Sequence, residues 1–526
     1  MPTTLLEALR LAEQAQQWGD IARAKSIYLR ILEAAPEEPR THNALGVLAY
    51  EAGELDVAES HLQRAIAAFD GEASFHNNLH LVYRRQGRLA DATASCRRAL
   101  ELAPESPELF NNLGVLLKDT GDLEAAVVHF ERSIALKPDF ADSYYNLGNA
   151  LTRLRRLDDA ERQYRRAIEL QPGDCETHNN LGTLVELQGR LDEAMACYDT
   201  ALQSRDDSPE AHRNRALLKL LLGNYTEGWA EYEWRWRMPG TSRPPCPQPQ
   251  WTGQRLDGGT ILLIMEQGLG DTIQFVRYAP LVKQRSAARV MLLCSRSWHA
   301  LLRTAPQIDH LVAPEDNQRP FDCYVPLLSL PMILGTTVES IPRPVPYLAA
   351  EPERVEHWRQ KFASVGEFKV GIAWQGSPGF TGDYYRSIPL EHFARLADCS
   401  GVRLFSLQKG FGSEQLQRLP AGAPIEDLGA TLDEGTGAFV DTAAVMKNLD
   451  LVITSDTAVA HLAGALGVPV WVALQVRPNW RWFMGRDDSP WYPTMRLFRQ
   501  SRLGDWTDVF TRIATELQML SSRGKS

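Results

Sequence analysis

The sequence is short of several things. Seven cysteines are scattered through 526 residues, at positions 96, 175, 197, 246, 294, 323 and 399, with no Cys-x-x-Cys pair and no cysteine and histidine spacing of zinc type. Neither a disulfide framework nor a structural metal is implied, and a reducing compartment is. No apolar run approaches the roughly 20 residues that a membrane-spanning helix needs. The opening residues, MPTTLLEALRLAEQ, carry no basic stretch ahead of an apolar one, so a cytoplasmic protein without a transmembrane segment is expected. Positive charge is in deficit too: 56 Lys and Arg stand against 66 Asp and Glu, a formal net charge of -10. Without a segregated basic patch such a surface repels a phosphate backbone, which argues against a nucleic-acid partner. What is present, 44% hydrophobic and 23% charged residues, suits about two to four domains, each with its own core.

Glycine then proves periodic. It stands at 19, 53, 87, 121, 189 and 223, all on one 34-residue grid whose missing member is Arg155. On the same grid fall small residues (Ala24, Ala58, Ala92, Ala126, Ala160, Ala194), bulky ones (Tyr28, Leu62, Phe130, Tyr164, Tyr198) and prolines (Pro36, Pro104, Pro138, Pro172). The pattern resembles the tetratricopeptide repeat, a helix-turn-helix unit in which small residues let helices approach and proline ends the second helix. Units run from 5 to 38, 39 to 72, 73 to 106, 107 to 140, 141 to 174 and 175 to 208, with a degenerate seventh from 209 to about 239. Stacked units of this kind make an α-solenoid with a concave face suited to peptides.

The sixth position of the unit is asparagine in five repeats: Asn78, Asn112, Asn146, Asn180 and Asn214. Asparagine is a mediocre helix former, so propensity does not place it there. Its amide donates and accepts, and a column of them can pair with the backbone of an extended peptide acceptor of any sequence. The same amides can instead tie neighbouring helices together. Asn43 sits one position off the column.

Residues 238 to 251, MPGTSRPPCPQPQW, hold five prolines and end the helical period. The expected organisation is therefore repeats over 1–238, a proline-rich linker over 239–258, and α/β halves over 259–345 and 346–526. Short apolar runs alternate with amphipathic ones: Thr260 to Met265, Arg289 to Cys294, His310 to Val312 and Asp322 to Val325 in the first half. Lys369 to Trp374, Val402 to Leu407, Leu449 to Thr454 and Val468 to Leu474 follow in the second. Two Rossmann-like halves facing across a cleft form the GT-B fold, with ligands at the carboxyl ends of the strands. The amphipathic stretch Trp506 to Leu520 is read as a helix returning to the first half.

Three loops at strand ends carry the chemistry. The first, Glu266-Gln-Gly-Leu-Gly-Asp-Thr-Ile-Gln-Phe275, lacks the third glycine of a dinucleotide fingerprint and the Lys-Ser/Thr of a P-loop. Asp271 is read at a helix start, either as a cap or as a general base kept ionised by the helix dipole, with Gly268 and Gly270 giving room for a substrate. The second, Thr454-Ser-Asp-Thr-Ala-Val-Ala-His461, follows an apolar strand, and Ser455, Asp456 and Thr457 suit either a diphosphate or a capped helix with His461 packed below. The third runs from Trp374 to Pro389, where Gln375 and Ser377 precede Arg386, a forked cation for leaving phosphates or a solvated surface residue. Gln408, after its strand, joins the donor-binding candidates. Trp480, Trp482, Phe483, Trp491 and Tyr492 either pack the core or wall a sugar or base, and Arg477 and Arg481 are further candidate phosphate partners.

Gly-x-Gly-Asp after the first strand, Gly-Ser ahead of a basic residue and Ile-Pro, and Ser-Asp-Thr-x-x-x-His-Leu-Ala-Gly-Ala-Leu-Gly before the last expected strand resemble the heptosyltransferase family of GT-B enzymes over residues 260 to 500. The resemblance implies a metal-independent, inverting transferase using a nucleotide-diphosphate sugar and no other cofactor. Asp271 would be its base, Arg386 its phosphate cation, and Ser455, Asp456, Thr457 and His461 its nucleotide loop. The segment Leu474-Gln-Val-Arg-Pro-Asn-Trp-Arg-Trp482 departs from the family's glycine-rich one. The asparagine column resembles the ladder of the O-linked N-acetylglucosamine transferases, which hold protein substrates by their backbones, and the whole is similar to bacterial repeat-glycosyltransferase fusions. A protein glycosyltransferase is the function expected. An inactive scaffold, and a transferase acting on lipid or oligosaccharide, are its rivals.

Overall fold

A computed structural model describes residues 4–316, 319–379, 382–420 and 424–523. Phe380 and Thr381, in the third loop, lie outside the described residues. Compactness divides the chain into two units: residues up to Leu184 with Gln203–Asp206, and Val185–Leu202 with everything from Asp207 onward. The sequence had placed its boundary at residue 238.

The first unit is a run of helix pairs, beginning with Leu5–Gln17 and Ile21–Ala34 and repeating through Ala141–Arg153 and Leu157–Leu170. The grid glycines sit in the left-handed region, with φ of 77° at Gly19, 81° at Gly53, 77° at Gly87 and 91° at Gly121. Only that conformation lets the chain leave one helix and start the next within three residues. Arg155 occupies the same place with φ 62° and bears the steric cost of its side chain. The alanine column is fully buried, and a second column of small residues explains how. A Cβ on Gly46, Gly114 or Gly148 would come within 2.6 Å of Leu62, Phe130 or Tyr164, so these glycines make the slots that the bulky residues fill.

The second unit opens with the end of the helix Cys175–Leu187, most of Leu191–Ser204, and the helices Pro209–Leu221 and Tyr225–Tyr232, and then builds two parallel sheets. The first contains β1 (Thr260–Ile264), β2 (Arg289–Leu293), β3 (His310–Val312) and β4 (Cys323–Pro326), in the order β3-β2-β1-β4. The second contains β5 (Phe368–Ala373), β6 (Val402–Ser406), β7 (Ile425–Asp427), β8 (Leu451–Ser455), β9 (Val470–Leu474) and β10 (Met495–Arg499), in the order β10-β9-β8-β5-β6-β7. Every pairing within these sheets is parallel. Strand order reverses beside β1 in one sheet and between β5 and β8 in the other, and such reversals open crevices at the carboxyl ends of the strands. The solenoid and the two-half α/β class are as the sequence led us to expect.

Two details differ. β7 and β10 were not foreseen: β7 is a three-residue edge with two exposed positions, and β10 interleaves arginines with its apolar residues. The last helix, Trp506–Arg523, does not return to the first half. Its apolar side, Trp506, Val509, Phe510, Ile513 and Leu517, joins the core of the second sheet with Phe393, Leu404 and Phe498. The proline-rich segment is anchored at its end, where the Trp251 amide donates to Tyr324 O (2.8 Å) and the Tyr324 amide to Pro249 O (3.1 Å).

Candidate functional site

The helices that follow β1 and β8 pack against each other at their starts. After β1 the helix Leu269–Phe275 begins with Gly268 as its cap, so Asp271 lies three residues into the helix rather than at the cap itself. Its Oδ2 accepts from the Gly268 amide (3.1 Å), the reciprocal half of a capping box. After β8 the helix Ala458–Ala465 begins with Thr457 as cap, and the Thr457 side chain makes no capping bond. Gly270 lies where these helices touch. A Cβ there would stand 3.2 Å from Ala458 Cα and 3.2 Å from the His461 ring, so Gly270 permits the helices of the two halves to pack and does not clear space for a substrate, as had been expected. Gly268 faces open space, since a Cβ on it would meet only Asp271 Oδ2, at 3.7 Å.

Around this junction the charges are arranged in layers. Asp456 is held above the usual carboxylate range by burial, against the pull of Arg386 and Arg481. The Trp482 indole N–H stands near it without closing a hydrogen bond. His461 is pushed well below its ordinary value by burial and then by Arg481, Arg277 and Arg386, so its ring is neutral at pH 7. Its Nδ1 bonds the Tyr492 hydroxyl (2.9 Å) and its ring stacks on Trp482. Ser455 Oγ is buried with no partner among the described residues, and Thr457 Oγ1 lies 3.3 Å from Thr454 Oγ1. A buried unpaired hydroxyl beside uncapped helix amides is an acceptor-seeking surface for an anion.

Arg386 ends the short helix Asp383–Arg386, and its Nε donates to Asp383 Oδ1 (2.9 Å) while Asp383 Oδ2 accepts from Ser387 (2.8 Å). A Cβ on Gly376 would fall 2.5 Å from Arg386 Nη2, so that glycine makes room for the guanidinium. Ser377 is exposed. Gln375 Oε1 accepts from Gln415 (2.9 Å). Gln408 is spent differently from expectation. Its Oε1 accepts from the Trp374 and Gln375 amides (both 3.1 Å) and its Nε2 donates to Gln375 O (3.0 Å) and Phe411 O (2.7 Å), which ties two loops together and leaves nothing for a ligand.

The residue that sequence reasoning undervalued is Arg481. It is buried, and its Nη2 forms an ion pair with Asp271 Oδ1 while its Nε donates to Gln274 and its Nη1 to Asn479 (2.8 Å). Arg477, its companion candidate, pairs with the buried Glu186 instead. The aromatic cluster is core. Trp480, Trp482, Phe483, Trp491 and Tyr492 are all at most 5% exposed, and a Cβ on Gly464 would strike Tyr492 at 2.4 Å.

In the first unit the asparagine column makes ties between repeats. Asn78 donates to Asn43 (2.8 Å), Asn112 to Asn77 (3.1 Å), Asn146 to Asn111 (3.1 Å) and Asn180 to Asn149 (2.9 Å). Asn43, one position off the column, is thus its first rung, and the asparagines at that same offset, Asn77 and Asn111, were the overlooked signal, while Asn180 reaches Asn149 instead. Beside Asn111 and Asn146 opens a groove of about 230 Å³ that also exposes Tyr145, Asp142, Asp174 and Glu176. Asn214 lies in the second unit, on the helix Pro209–Leu221.

Comparison with known proteins adds the class. Descriptions of the tetratricopeptide repeat match residues 9–73, 44–107, 116–155, 141–174 and 179–233, so the chain carries tetratricopeptide repeats over that part. It is similar to Protein FlbA of Caulobacter vibrioides, with 28% identity over 319 residues that make up 55% of this chain and 52% of FlbA. The match thus spans about half the length of that relative. Solved structures similar to it include MamA (25% identity, TM-score 0.30, 33% of this chain and 94% of MamA) and YrrB, described as a TPR protein with an unusual peptide-binding site (21%, 0.30, 35% and 95%). No helix among the described residues is long and apolar enough to cross a membrane.

Proposed function

We propose that the α/β part of the second unit is a GT-B glycosyltransferase that moves a sugar from a nucleotide diphosphate to a hydroxyl of a polypeptide presented by the repeats. One observation carries most of the weight. Each half sends a helix start from a point of strand reversal, and the two starts bring Asp271, Ser455, Asp456, Thr457 and His461 to one junction. In the reaction Asp271 takes the proton from the acceptor hydroxyl as its oxygen attacks the anomeric carbon, and the bond from that carbon to the diphosphate breaks with its electrons leaving on the phosphate. Attack opposite the leaving group inverts the centre. Arg386, the N-terminal end of the helix Ala458–Ala465 and the Ser455 and Thr457 hydroxyls face the departing charge, where fixed dipoles and cations lower the barrier most. The groove lined by carboxylates and amides in the first unit supports a peptide acceptor. The test is a panel of nucleotide sugars scored for release of nucleoside diphosphate, with and without candidate polypeptides.

A second reading has an observation in its favour. Both Asp271 oxygens already accept bonds, from Gly268 and Arg481, as in a fold that keeps the motif only for support. A scaffold of this kind turns over no nucleotide sugar, and Asp271→Asn changes only its stability.

A further inference from the structure

The Asp271 and Arg481 pair has a sharper meaning than support, one that rests on the transferase reading. We infer that Arg481 is a positioning residue for Asp271, set in place by the seventh repeat, and not a phosphate ligand. A phosphate clamp needs a guanidinium fork turned to the ligand. The Arg481 fork is turned to protein on every edge, toward Gln274, Asn479 and Asp271, and its face lies 4.4 Å from the Trp480 ring centroid. Asp271 is the pair's outward member, with its side chain 20% exposed against 7% for Arg481. A carboxylate has about four lone-pair sites. One donor on each oxygen fixes the plane of the group and leaves acceptor capacity for a substrate hydroxyl.

The loop that carries Arg481 is moulded by the seventh repeat. Phe483, two residues on, is held at φ 52°, a conformation a phenylalanine keeps only where its surroundings impose it. Its ring stacks on Tyr225 (5.5 Å between centroids), and its carbonyl accepts from Arg499 (2.7 Å). Trp480 meets Trp229 edge to face (5.0 Å), and the Trp491 indole donates to the Tyr225 hydroxyl (3.2 Å). The same repeat grips the loop before Asp271. Arg235 pairs with the buried Glu266 (2.8 Å), and Gln267 donates to the Tyr232 hydroxyl (3.0 Å). The seventh repeat therefore fixes both partners of the pair.

The experiment is a cycle of wild type, Asp271→Asn, Arg481→Met and the double variant, with Arg481→Lys as a milder change. Each is assayed for nucleotide-sugar turnover and, separately, for binding of UDP, GDP and ADP by calorimetry. The inference expects Arg481→Met to lower kcat about 100-fold with nucleotide affinity within 3-fold of wild type. The double variant should be no slower than Asp271→Asn alone, as for groups that act as a unit, and free guanidinium should restore part of the lost kcat. Losses that multiply in the double variant, or nucleotide binding weakened more than 10-fold by Arg481→Met with kcat kept, overturn it. A wild type without turnover, or Asp271→Asn as active as wild type, overturns the transferase reading and this inference with it, and is told apart because it shows in the wild type and Asp271→Asn before any change at Arg481.

Discussion

The last two repeats and the first five share a grid but not a purpose. In the first unit the recurring positions face other repeats: the asparagines bond asparagines, and the glycines admit Leu62, Phe130 and Tyr164. In the second unit the repeat helices face unique partners. Glu186 takes Arg477, Gly189 lies against Val476, and Tyr225 and Trp229 enter the aromatic core with Trp480 and Trp491. One helical hairpin thus serves first as a copyable spacer and then as a wall of the α/β part. The compact units part at Leu184, within the sixth repeat, ahead of residue 238 where the repeat pattern fades.

Truncation breaks this comparison most severely. A chain beginning at residue 239 loses Tyr225, Trp229, Tyr232 and Leu221 from a buried interior. At about 1.5–3 kcal/mol for each large apolar side chain the loss is comparable to the whole stability of a typical domain. It should aggregate or melt without cooperativity in circular dichroism, whereas a chain beginning at residue 175 should melt cooperatively. The chain from 175, compared with the full chain, also separates acceptors: activity on a lipid or oligosaccharide should survive in it, and activity on a polypeptide should not.

Acid should reach the first unit through a buried histidine. His80 is pushed down to about 4 by burial, helped by Arg84 and opposed by a bond with Asn77. Its folded value lies below its unfolded one, so the stability it contributes is present above pH 6.5 and is lost as pH falls toward 4, by about 3 kcal/mol in all. Hydrogen exchange of the helix Ala73–Arg85 between pH 7 and 4.5 reads this, and His80→Gln should flatten the profile. Next in size, Asn111→Ala removes an acceptor used by both Asn146 (3.1 Å) and Ser143 (3.3 Å) and should cost about 2 kcal/mol in urea unfolding. The smallest effect has the opposite sign. Arg155→Gly places glycine where φ is 62° and should stabilise by about 1 kcal/mol, a rise of a few degrees in Tm.

The sequence was legible wherever one residue's duty recurs. Six glycines at one spacing announce a left-handed turn, and eight apolar runs announce strands, because both patterns come from local backbone geometry. Legibility failed where a residue's partner is distant and unique. Nothing near Asp271 announces Arg481, 210 residues later, and nothing near Gln408 announces the loop amides that consume its side chain. The last helix has a clear apolar stripe, but a stripe does not say which of two sheets it covers, and here it covers the nearer one. Gly270 was assigned to the cleft because a glycine beside an acid looks like clearance; only His461 and Ala458 show what occupies the space.

The central claim is that Asp271 works as a base and not only as half of a capping box. It is tested by measuring nucleotide-sugar turnover and Tm for wild type and Asp271→Asn side by side. The account predicts a loss of kcat of about 10²–10⁴-fold with Tm lowered by only a few degrees. Equal turnover in the two proteins, with the whole effect in Tm, would contradict it.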